Sequence, residues 1–265
     1  MSEDAQPEAT KRGLFICLEG GEGSGKTTMV RTVKDYLSSQ GREVIEMTDP
    51  GSTPLALALR AIVVDAHVPC TPHQQALLYI AARDALADEV SHYLDIGTDV
   101  VCGRWTLSTI IYQGLLGQVG VENVEWLAKN FVGIDPDIYI VLNATPEIAL
   151  ARKQAAVGAQ AMFDDRFDGR PIEWHRKIQD TYYMLAQEAG YPIVDADKPL
   201  TEVQKAVISV CQTHHRFRAV VPCAAHCAVS IYRCLATSLR RKASTSICGS
   251  LSAIVMCFHI RWDVV

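Results

Sequence analysis

The chain has 265 residues and is 49% hydrophobic, which is enough apolar material to bury the core of one large domain or two small ones. No apolar run reaches the roughly 18–20 residues of a membrane-spanning helix. Residues 1–12 lack the apolar centre of a signal peptide and are predicted to form a disordered tail. Cys17 and Cys102 lie in buried-strand patterns, which favours a reduced protein in the cytoplasm.

The charge is distributed unevenly along the chain. Residues 1–212 contain 18 Lys/Arg and 29 Asp/Glu, whereas residues 213–265 contain 7 basic residues, 1 acidic residue and 5 cysteines. The acidic main part predicts no binding to nucleic acid, because it repels a phosphate backbone. Four interpretations of residues 213–265 stand: a poorly ordered extension, a basic patch for nucleic acid or a membrane surface, a metal-binding knot, and sequence without a role in this fold.

Short apolar runs alternate with helical patterns from residue 13 to residue 212, as is typical of a parallel α/β sheet. The predicted strands cover 14–19, 43–47, 99–103, 137–142 and 191–195. The predicted helices cover 26–39, 54–64, 72–95, 105–116, 121–131, 145–157, 170–189 and 200–211. Five such strands with crossover helices form a doubly wound parallel sheet, which binds ligands beyond the carboxyl ends of its strands.

Residues 20–27 form a complete G-x-x-x-x-G-K-[ST] phosphate loop between the first predicted strand and the first predicted helix. Glycines let successive backbone N–H groups face a phosphate, and the helix N-terminus adds partial positive charge. We therefore expect Lys26 to hold the β- and γ-phosphates of ATP and Thr27 to bind Mg²⁺. A glycine-rich turn with a surface lysine is the alternative interpretation. The predicted donor site consists of Gly20, Gly21, Glu22, Gly23, Ser24, Gly25, Lys26, Thr27 and Thr28.

Polar residues follow the second and third predicted strands. Asp49 begins an Asp-Pro-Gly-Ser-Thr turn after the second strand, and Arg104 follows the third. In the long third helix, Tyr79 and Arg83 are four residues apart and share one face. An aromatic ring with a guanidinium one turn away can stack a planar base and bind its edge. A core tyrosine beside a surface arginine is the alternative.

Together, these features resemble those of the thymidylate kinase family. The resemblance spans residues 13–211 and rests on the phosphate loop, the turn after the second strand, Leu-Leu-Tyr-x-x-x-Arg, Arg-x-x-x-Ser-x-x-x-Tyr-Gln-Gly, and Asp-Arg-Phe-Asp at 165–168. It implies a nucleoside monophosphate kinase fold that transfers the γ-phosphoryl group of ATP to deoxythymidine monophosphate (dTMP). It also implies Mg²⁺, a mobile lid at 152–170 and a homodimer.

The resemblance further implies roles in an acceptor site. Glu22 matches an acidic residue near the sugar of the acceptor, and Tyr79 matches an aromatic residue that stacks on thymine. Arg83 matches an arginine at the base edge, and Arg104 matches the arginine that holds the acceptor phosphate. The implied substrate-binding set is Glu22, Asp49, Tyr79, Arg83, Arg104, Ser108 and Gln113.

Some family members carry a catalytic arginine inside the phosphate loop, whereas positions 22–24 of this chain are Glu, Gly and Ser. The stabilising arginine is then expected from the lid, because phosphoryl transfer spreads negative charge that a cation must offset. We predict Arg166 in this role, with Arg152 behind it. The predicted catalytic set is therefore Lys26, Arg104, Arg166 and Arg152.

Two positions depart from the family pattern. Gly103 stands where the family usually has an aspartate, and Thr48 stands where it usually has an arginine. We therefore expect Asp49 to share with Thr27 in binding Mg²⁺, an ion that keeps much of its water shell in proteins. Three alternative functions stay open: an inactive or nucleotide-binding paralogue, a kinase for another deoxypyrimidine monophosphate, and a generic phosphate-loop ATPase.

Overall fold

Five parallel strands form the centre of the fold, in the order β2-β3-β1-β4-β5. The computed structural model describes residues 12–157 and 165–217. The strands are β1 (Phe15–Glu19), β2 (Val44–Thr48), β3 (Asp99–Gly103), β4 (Ile138–Asn143) and β5 (Ile193–Asp195). The first strand lies in the middle of the order and later strands are added on both sides, so the sheet is doubly wound as predicted.

Helices surround this sheet. They are α1 (Lys26–Ser39), α2 (Pro54–Val64), α3 (Pro72–Asp95), α4 (Thr106–Thr109), α5 (Val121–Leu127), α6 (Pro146–Val157), α7 (Ile172–Ala189) and α8 (Leu200–Phe217). Helices α4 and α5 each continue into a wider π-helical turn, at Ile110–Leu115 and Ala128–Val132. The N–H of Leu116 donates to the carbonyl oxygen of Ile111, and the N–H of Gly133 donates to that of Ala128. Each bond spans five residues, which is the spacing of a π-helix. None of the described helices is long and apolar enough to cross a membrane.

The core explains the sequence pattern of the strands. β1 and β3 are buried along their whole length, which is why they read as uninterrupted apolar runs. Helix α1 packs Met29, Val33 and Leu37 into the same apolar cluster as β1, with the spacing of one helical face. The sheet and α1 thus hold the intervening phosphate loop between two buried elements.

Strand register brings the predicted functional turns to one edge of the sheet. Gly103 pairs with Leu18 on one side and with Thr48 on the other, so β1, β2 and β3 end nearly level. The opposite end of β3 is fixed by buried Asp99, which accepts a 2.7 Å hydrogen bond from the N–H of Leu14 and pairs with Arg42. The residues that follow these three strands therefore converge on one place.

The predicted strands and helices agree with the observed ones apart from the two π-helical turns, where plain helices were predicted, and apart from small differences at the ends of elements. The last helix runs to Phe217 and not to 211, so the first residues of the predicted 213–265 extension belong to α8. Arg12, which was predicted to lie in the tail, donates a 3.0 Å hydrogen bond to Asp137. The predictions for residues 1–11, for 158–164 of the lid and for 218–265 lie outside the described residues.

Candidate functional site

A cavity of about 660 Å³ opens at the carboxyl edge of the sheet, within the size range of small-molecule sites. Its wall combines the phosphate loop, the turns after β2 and β3, one face of α3 and residues from both ends of the segment 152–170, which is predicted to be a lid and is called the lid below. The cavity therefore lies where a doubly wound sheet binds its ligands.

Glycines shape the phosphate loop because its backbone passes very close to neighbouring strands and helices. Gly20 and Gly23 have φ angles of 139° and 71°, which favour glycine. A Cβ at Gly23 would lie only 2.0 Å from the carbonyl oxygen of Ala149, and one at Gly20 would lie 2.5 Å from that of Leu142. The loop conformation thus requires glycine at both positions.

The side chain of Lys26 folds back over this loop. Its Nζ donates hydrogen bonds to the carbonyl oxygens of Gly20 at 2.8 Å and Gly21 at 2.6 Å, and to Ser24 Oγ at 3.3 Å. The residue is 7% exposed. Burial, together with the nearby charge of Arg104, lowers the pKa of Lys26 to about 7. A phosphate at the loop would supply the missing negative charge.

Glu22 is the centre of a cluster of charges beside the loop. Both of its carboxylate oxygens accept from Arg104 Nη2, at 2.7 and 2.8 Å, and Lys153 Nζ lies 3.3 Å from Oε2. The hydroxyl of Tyr112 also donates to it, at 3.2 Å. Burial opposes the charge of Glu22, but Arg104, Lys26 and Lys153 together outweigh burial and hold its pKa well below the usual range.

Asp168 closes this cluster from the lid side. Lys153 Nζ donates a 2.5 Å hydrogen bond to its carboxylate, so one lysine joins the lid to the phosphate loop. Burial and the charge of Glu22 raise the pKa of Asp168 to about 6, although Lys153 opposes the shift. The lid start is thus held over the loop by an ion pair.

Arg104 has an unusual backbone conformation, with a φ of 70° that costs a non-glycine residue roughly 1–2 kcal/mol. Neighbouring hydrogen bonds maintain it. The N–H of Arg104 donates to the carbonyl oxygen of Leu18 at 3.0 Å, and the next N–H, of Trp105, donates to the Glu19 carboxylate at 2.8 Å. In this backbone conformation, the guanidinium donates to Glu22.

Glu19 is a fully buried carboxylate at the end of β1. Besides the N–H of Trp105, it accepts hydrogen bonds from the N–H and Oγ of Ser108, at 3.2 and 2.7 Å, and from the hydroxyl of Tyr182 at 3.0 Å. Burial raises its pKa, and the hydrogen bonds and Arg104 limit the rise. The predicted substrate residue Ser108 is therefore also part of a structural network.

Asp49 and Arg83 form a buried ion pair, each with about 1% of its surface exposed. Arg83 Nε donates to Asp49 Oδ2 at 2.7 Å, and Arg83 Nη2 donates to Thr109 Oγ1 at 3.0 Å. Among the described residues, Asp49 Oδ1 and Arg83 Nη1 have no hydrogen-bond partner. Such buried, unpaired polar atoms are rare and call for a ligand or ordered water.

Aromatic side chains form one wall of the cavity. The ring of Phe167, on the lid, lies 6.5 Å from Tyr79 and 5.6 Å from Tyr112, centroid to centroid, and it stacks on Trp174 at 6.1 Å. Tyr79 and Tyr112 come from α3 and from the π-helical turn after α4, respectively. A planar base is a suitable occupant of such a wall.

The structure brings most of the predicted site residues together. Those that line the cavity are Glu22, Gly23, Ser24, Gly25, Lys26, Thr27, Thr28, Asp49, Tyr79, Arg83, Arg104, Ser108, Gln113 and Arg152. Gly20 and Gly21 complete the loop through the carbonyl oxygens that Lys26 contacts. Arg152 lies at the far end, where its guanidinium donates to the carbonyl oxygen of Ala196 at 2.8 Å.

Arg166 is the predicted residue that the structure does not bring to the cavity. Its guanidinium donates to the carbonyl oxygens of Val63 at 2.9 Å and Asp65 at 2.6 Å, and also to that of Val68. It thereby fastens the lid to the α2–α3 connection. The lid cation that reaches the phosphate loop in this conformation is Lys153.

The cavity is also lined by Thr109, Tyr112, Lys153 and Phe167, which are not in the predicted set of site residues. Two further residues, Glu19 and Gln75, were not predicted, although their side chains bond to the predicted residues Ser108 and Gln113. Glu19 is the last residue of the apolar strand β1, at the carboxyl edge of the sheet. A charged residue at that position could have been identified from the sequence as a candidate site residue. Gln75 contacts Gln113 through a hydrogen bond between elements that are far apart in the chain, for which the sequence gives no local signal.

The donor set fits a divalent cation. The side chain of Thr27 is exposed at the first turn of α1. Asp49, whose buried Oδ1 has no hydrogen-bond partner among the described residues, lines the same cavity. Hydroxyl and carboxylate oxygens are the ligands that Mg²⁺ prefers, with water for the remaining positions. Within the described residues, no group of three or more His, Cys, Asp or Glu forms a denser metal site.

The parallel sheet, the phosphate loop with its lysine and the facing Arg104–Glu22 pair define a phosphate-loop protein of the nucleoside monophosphate kinase type. The family model for thymidylate kinase matches residues 18–207. The chain therefore belongs to the thymidylate kinase family. It is similar to the thymidylate kinases of Chlamydia caviae (32% identical, covering 74% of this chain and 96% of that protein), Caldicellulosiruptor saccharolyticus (36%, 64% and 82%) and Shouchella clausii (35%, 73% and 92%).

The lowered pKa of Lys26, about 7, predicts proton uptake when ATP binds. At pH 8 the free lysine is mostly neutral and bound phosphates raise its pKa again, so binding takes up about one proton. At pH 6 the lysine is already charged and little uptake is expected. Isothermal titration calorimetry in buffers of different ionisation enthalpy measures the number of protons.

Two variants control this measurement. Lys26→Arg keeps a permanent charge and should bind ATP without uptake, whereas Lys34→Met removes a surface lysine of α1 and should leave uptake unchanged. Absence of uptake at pH 8 in the unaltered protein contradicts the prediction.

Proposed function

We propose that this protein transfers the γ-phosphoryl group of ATP to dTMP and releases ADP and deoxythymidine diphosphate. The observation that carries the proposal is the convergence of two phosphate sites in one cavity. The glycine loop with Lys26 suits the donor, and Arg104 beside Glu22 suits an acceptor. Phosphoryl transfer requires little more than placing these two anions in line and offsetting their charge.

At the donor end, the loop amides and Lys26 bind the phosphates of ATP. On binding, Lys26 exchanges the carbonyl oxygens of Gly20 and Gly21 for phosphate oxygens, which are better partners for its charge. Mg²⁺, held by Thr27 and the free oxygen of Asp49, would offset charge on the β- and γ-phosphates. Arg152 lines the cavity on the β5 side, where it donates to the carbonyl oxygen of Ala196. It would lie beside the nucleoside part of ATP.

At the acceptor end, Arg104 binds the phosphate of dTMP. Its guanidinium is already oriented by the strained backbone, so little conformational freedom is lost on binding. Glu22 holds Arg104 in place and remains available to the sugar hydroxyl. The base would lie against Tyr79 and the aromatic wall, with its edge facing Arg83 and Gln113. Ser108 borders the same pocket while its hydroxyl is bound to Glu19.

The kinase assay tests this function directly. ADP release is measured with ATP, Mg²⁺ and a panel of nucleoside monophosphates, and turnover should require dTMP. Lys26→Ala should lower kcat/KM by about 10³ or more, because it removes the cation at the donor phosphates.

Each alternative function gives a different result in this assay. ADP release without any acceptor indicates an ATPase, and preference for another deoxypyrimidine monophosphate indicates a different acceptor. No turnover with any acceptor indicates a nucleotide-binding paralogue. Any of these three results overturns the proposed function.

We further propose that Lys153 is the lid cation that meets the transferring group. Lys153 already bridges Glu22 and Asp168 above the loop, whereas Arg166 is engaged by three carbonyl oxygens outside the cavity. A phosphate between the loop and the lid would attract Lys153 from Asp168.

Lys153→Met should therefore lower kcat by about 10² or more, the cost typical of removing one charge-stabilising donor. Arg166→Ala should cost less in kcat, because it loosens the attachment of the lid. Arg176→Ala, on an exposed face of α7, is the matched control and should be neutral. The reverse ranking, with a loss of about 10³–10⁵ for Arg166→Ala alone, shows that Arg166 enters the site as the sequence predicted.

We propose a homodimer that forms through α2. Leu55 and Ile62 are 57% and 44% exposed and, with Leu59 between them, form an apolar stripe at helical spacing. Exposed apolar stripes of this kind are typical of protein interfaces.

The buried free thiols Cys17, Cys102 and Cys211 support a reducing compartment, and we propose the cytoplasm.

Sedimentation velocity tests the interface. The unaltered protein should sediment as a dimer, and Ile62→Glu should shift it towards the monomer, because a buried, unpaired carboxylate is costly. Ile148→Glu changes an equally apolar, 40% exposed residue of α6 and should leave the dimer intact. A monomeric unaltered protein, or a dimer that persists in Ile62→Glu, contradicts this proposal.

A further inference from the structure

Two buried glutamines connect the main chain before α3 to the wall of the cavity. Gln75 Nε2 donates a 2.9 Å hydrogen bond to the carbonyl oxygen of Cys70, and Gln113 Nε2 donates a 3.2 Å hydrogen bond to Gln75 Oε1. Gln75 and Gln113 are only 6% and 1% exposed. We name this chain of Cys70, Gln75 and Gln113 the amide relay.

The direction of the amide relay follows from the chemistry of its first member. A glutamine side chain has a donor and an acceptor of nearly equal size, so only its partners determine which way it points. The carbonyl oxygen of Cys70 can only accept, so the NH₂ group of Gln75 must face it. Gln75 Oε1 then faces Gln113, whose own NH₂ group must point back to it.

The end of the amide relay is therefore an acceptor. Gln113 lines the cavity, and none of the described residues donates a hydrogen bond to its Oε1. Arg83 lines the same cavity with a buried Nη1 that has no partner, and a guanidinium can only donate. Two residues of the cavity wall thus carry one acceptor and one donor without a partner among the described residues.

We propose that Gln75 is a positioning residue that fixes the amide of Gln113 with its oxygen towards the ligand, and thereby selects bases with a ring N–H beside a carbonyl oxygen. Thymine and uracil have this edge. Cytosine has the opposite one, a bare ring nitrogen beside an amino group. The inference rests on the proposed function, and it deepens that function by naming the group that rejects cytosine.

The selection is strong because the amide relay resists inversion. If Gln113 turned its NH₂ group to cytosine, its oxygen would face Gln75 Oε1, and two buried acceptors would lie together without a proton. Gln75 cannot turn in response, because its oxygen would then face the carbonyl oxygen of Cys70. Arg83 cannot accept a hydrogen bond from the amino group of cytosine in any orientation.

The experiment measures kcat/KM for dTMP and for deoxycytidine monophosphate in the same preparation of each variant. Gln75→Leu removes both hydrogen bonds and frees the amide of Gln113, so the ratio of the two constants should fall by about tenfold or more. Gln75→Glu, assayed at a pH low enough to protonate this buried carboxyl group, can donate its O–H to the carbonyl oxygen of Cys70 and turn its other oxygen to the NH₂ group of Gln113, so it should keep the ratio. Gln74→Leu, a neighbour whose side chain caps α3, is the matched control and should also keep it.

The ratio separates positioning from a general effect on folding, because loss of active protein lowers both constants equally. If Gln75→Leu does not fold, Gln75→Ala removes the same amide with a smaller side chain. An unchanged ratio in the foldable variant overturns the inference while the kinase activity stands. Failure of the proposed function is distinct, since the unaltered protein would then show no activity with dTMP.

Discussion

A buried carboxylate at the end of the first strand organises the whole site. Glu19 has no exposure to solvent and accepts hydrogen bonds from the backbone and side chain of the segment that follows β3. Removing its partners would leave a buried charge, which costs several kcal/mol. That segment is therefore fixed, and Arg104 keeps a left-handed backbone that it would not adopt in a free loop. Arg104 is therefore positioned by a residue that need not touch any ligand.

The charged side chains around Glu22 largely neutralise one another. Lys26, Arg104 and Lys153 meet around Glu22, and Asp168 offsets part of the positive charge from the lid. Without such carboxylates, three cations so close together would repel one another strongly at low dielectric. Two phosphate groups can replace the contacts that these cations make with the protein. The same arrangement thus stabilises the free protein and prepares it for two anionic substrates.

The sequence predicted the sheet, the phosphate loop and part of the set of residues that line the cavity, because these depend on local patterns: apolar runs, glycine spacing and residues directly after strands. It placed Tyr79 and Arg83 on one helix face correctly, since a helical repeat is fixed by geometry. It gave no indication that Arg166 binds carbonyl oxygens of the α2–α3 connection, because its partners lie about a hundred residues away. The π-helical turn that carries Gln113 has no distinct apolar period, so a plain helix was predicted.

The amide relay begins at a main-chain oxygen, and this has an evolutionary consequence. A backbone carbonyl is the same in all twenty amino acids, so drift at position 70 cannot reverse the polarity that is passed to Gln113. Substitution of the Cys70 side chain therefore leaves base preference unchanged, whereas loss of the Gln75 amide alters it without removing either residue that contacts the base. A descendant enzyme with relaxed pyrimidine preference would accordingly be sought among sequences that vary at position 75.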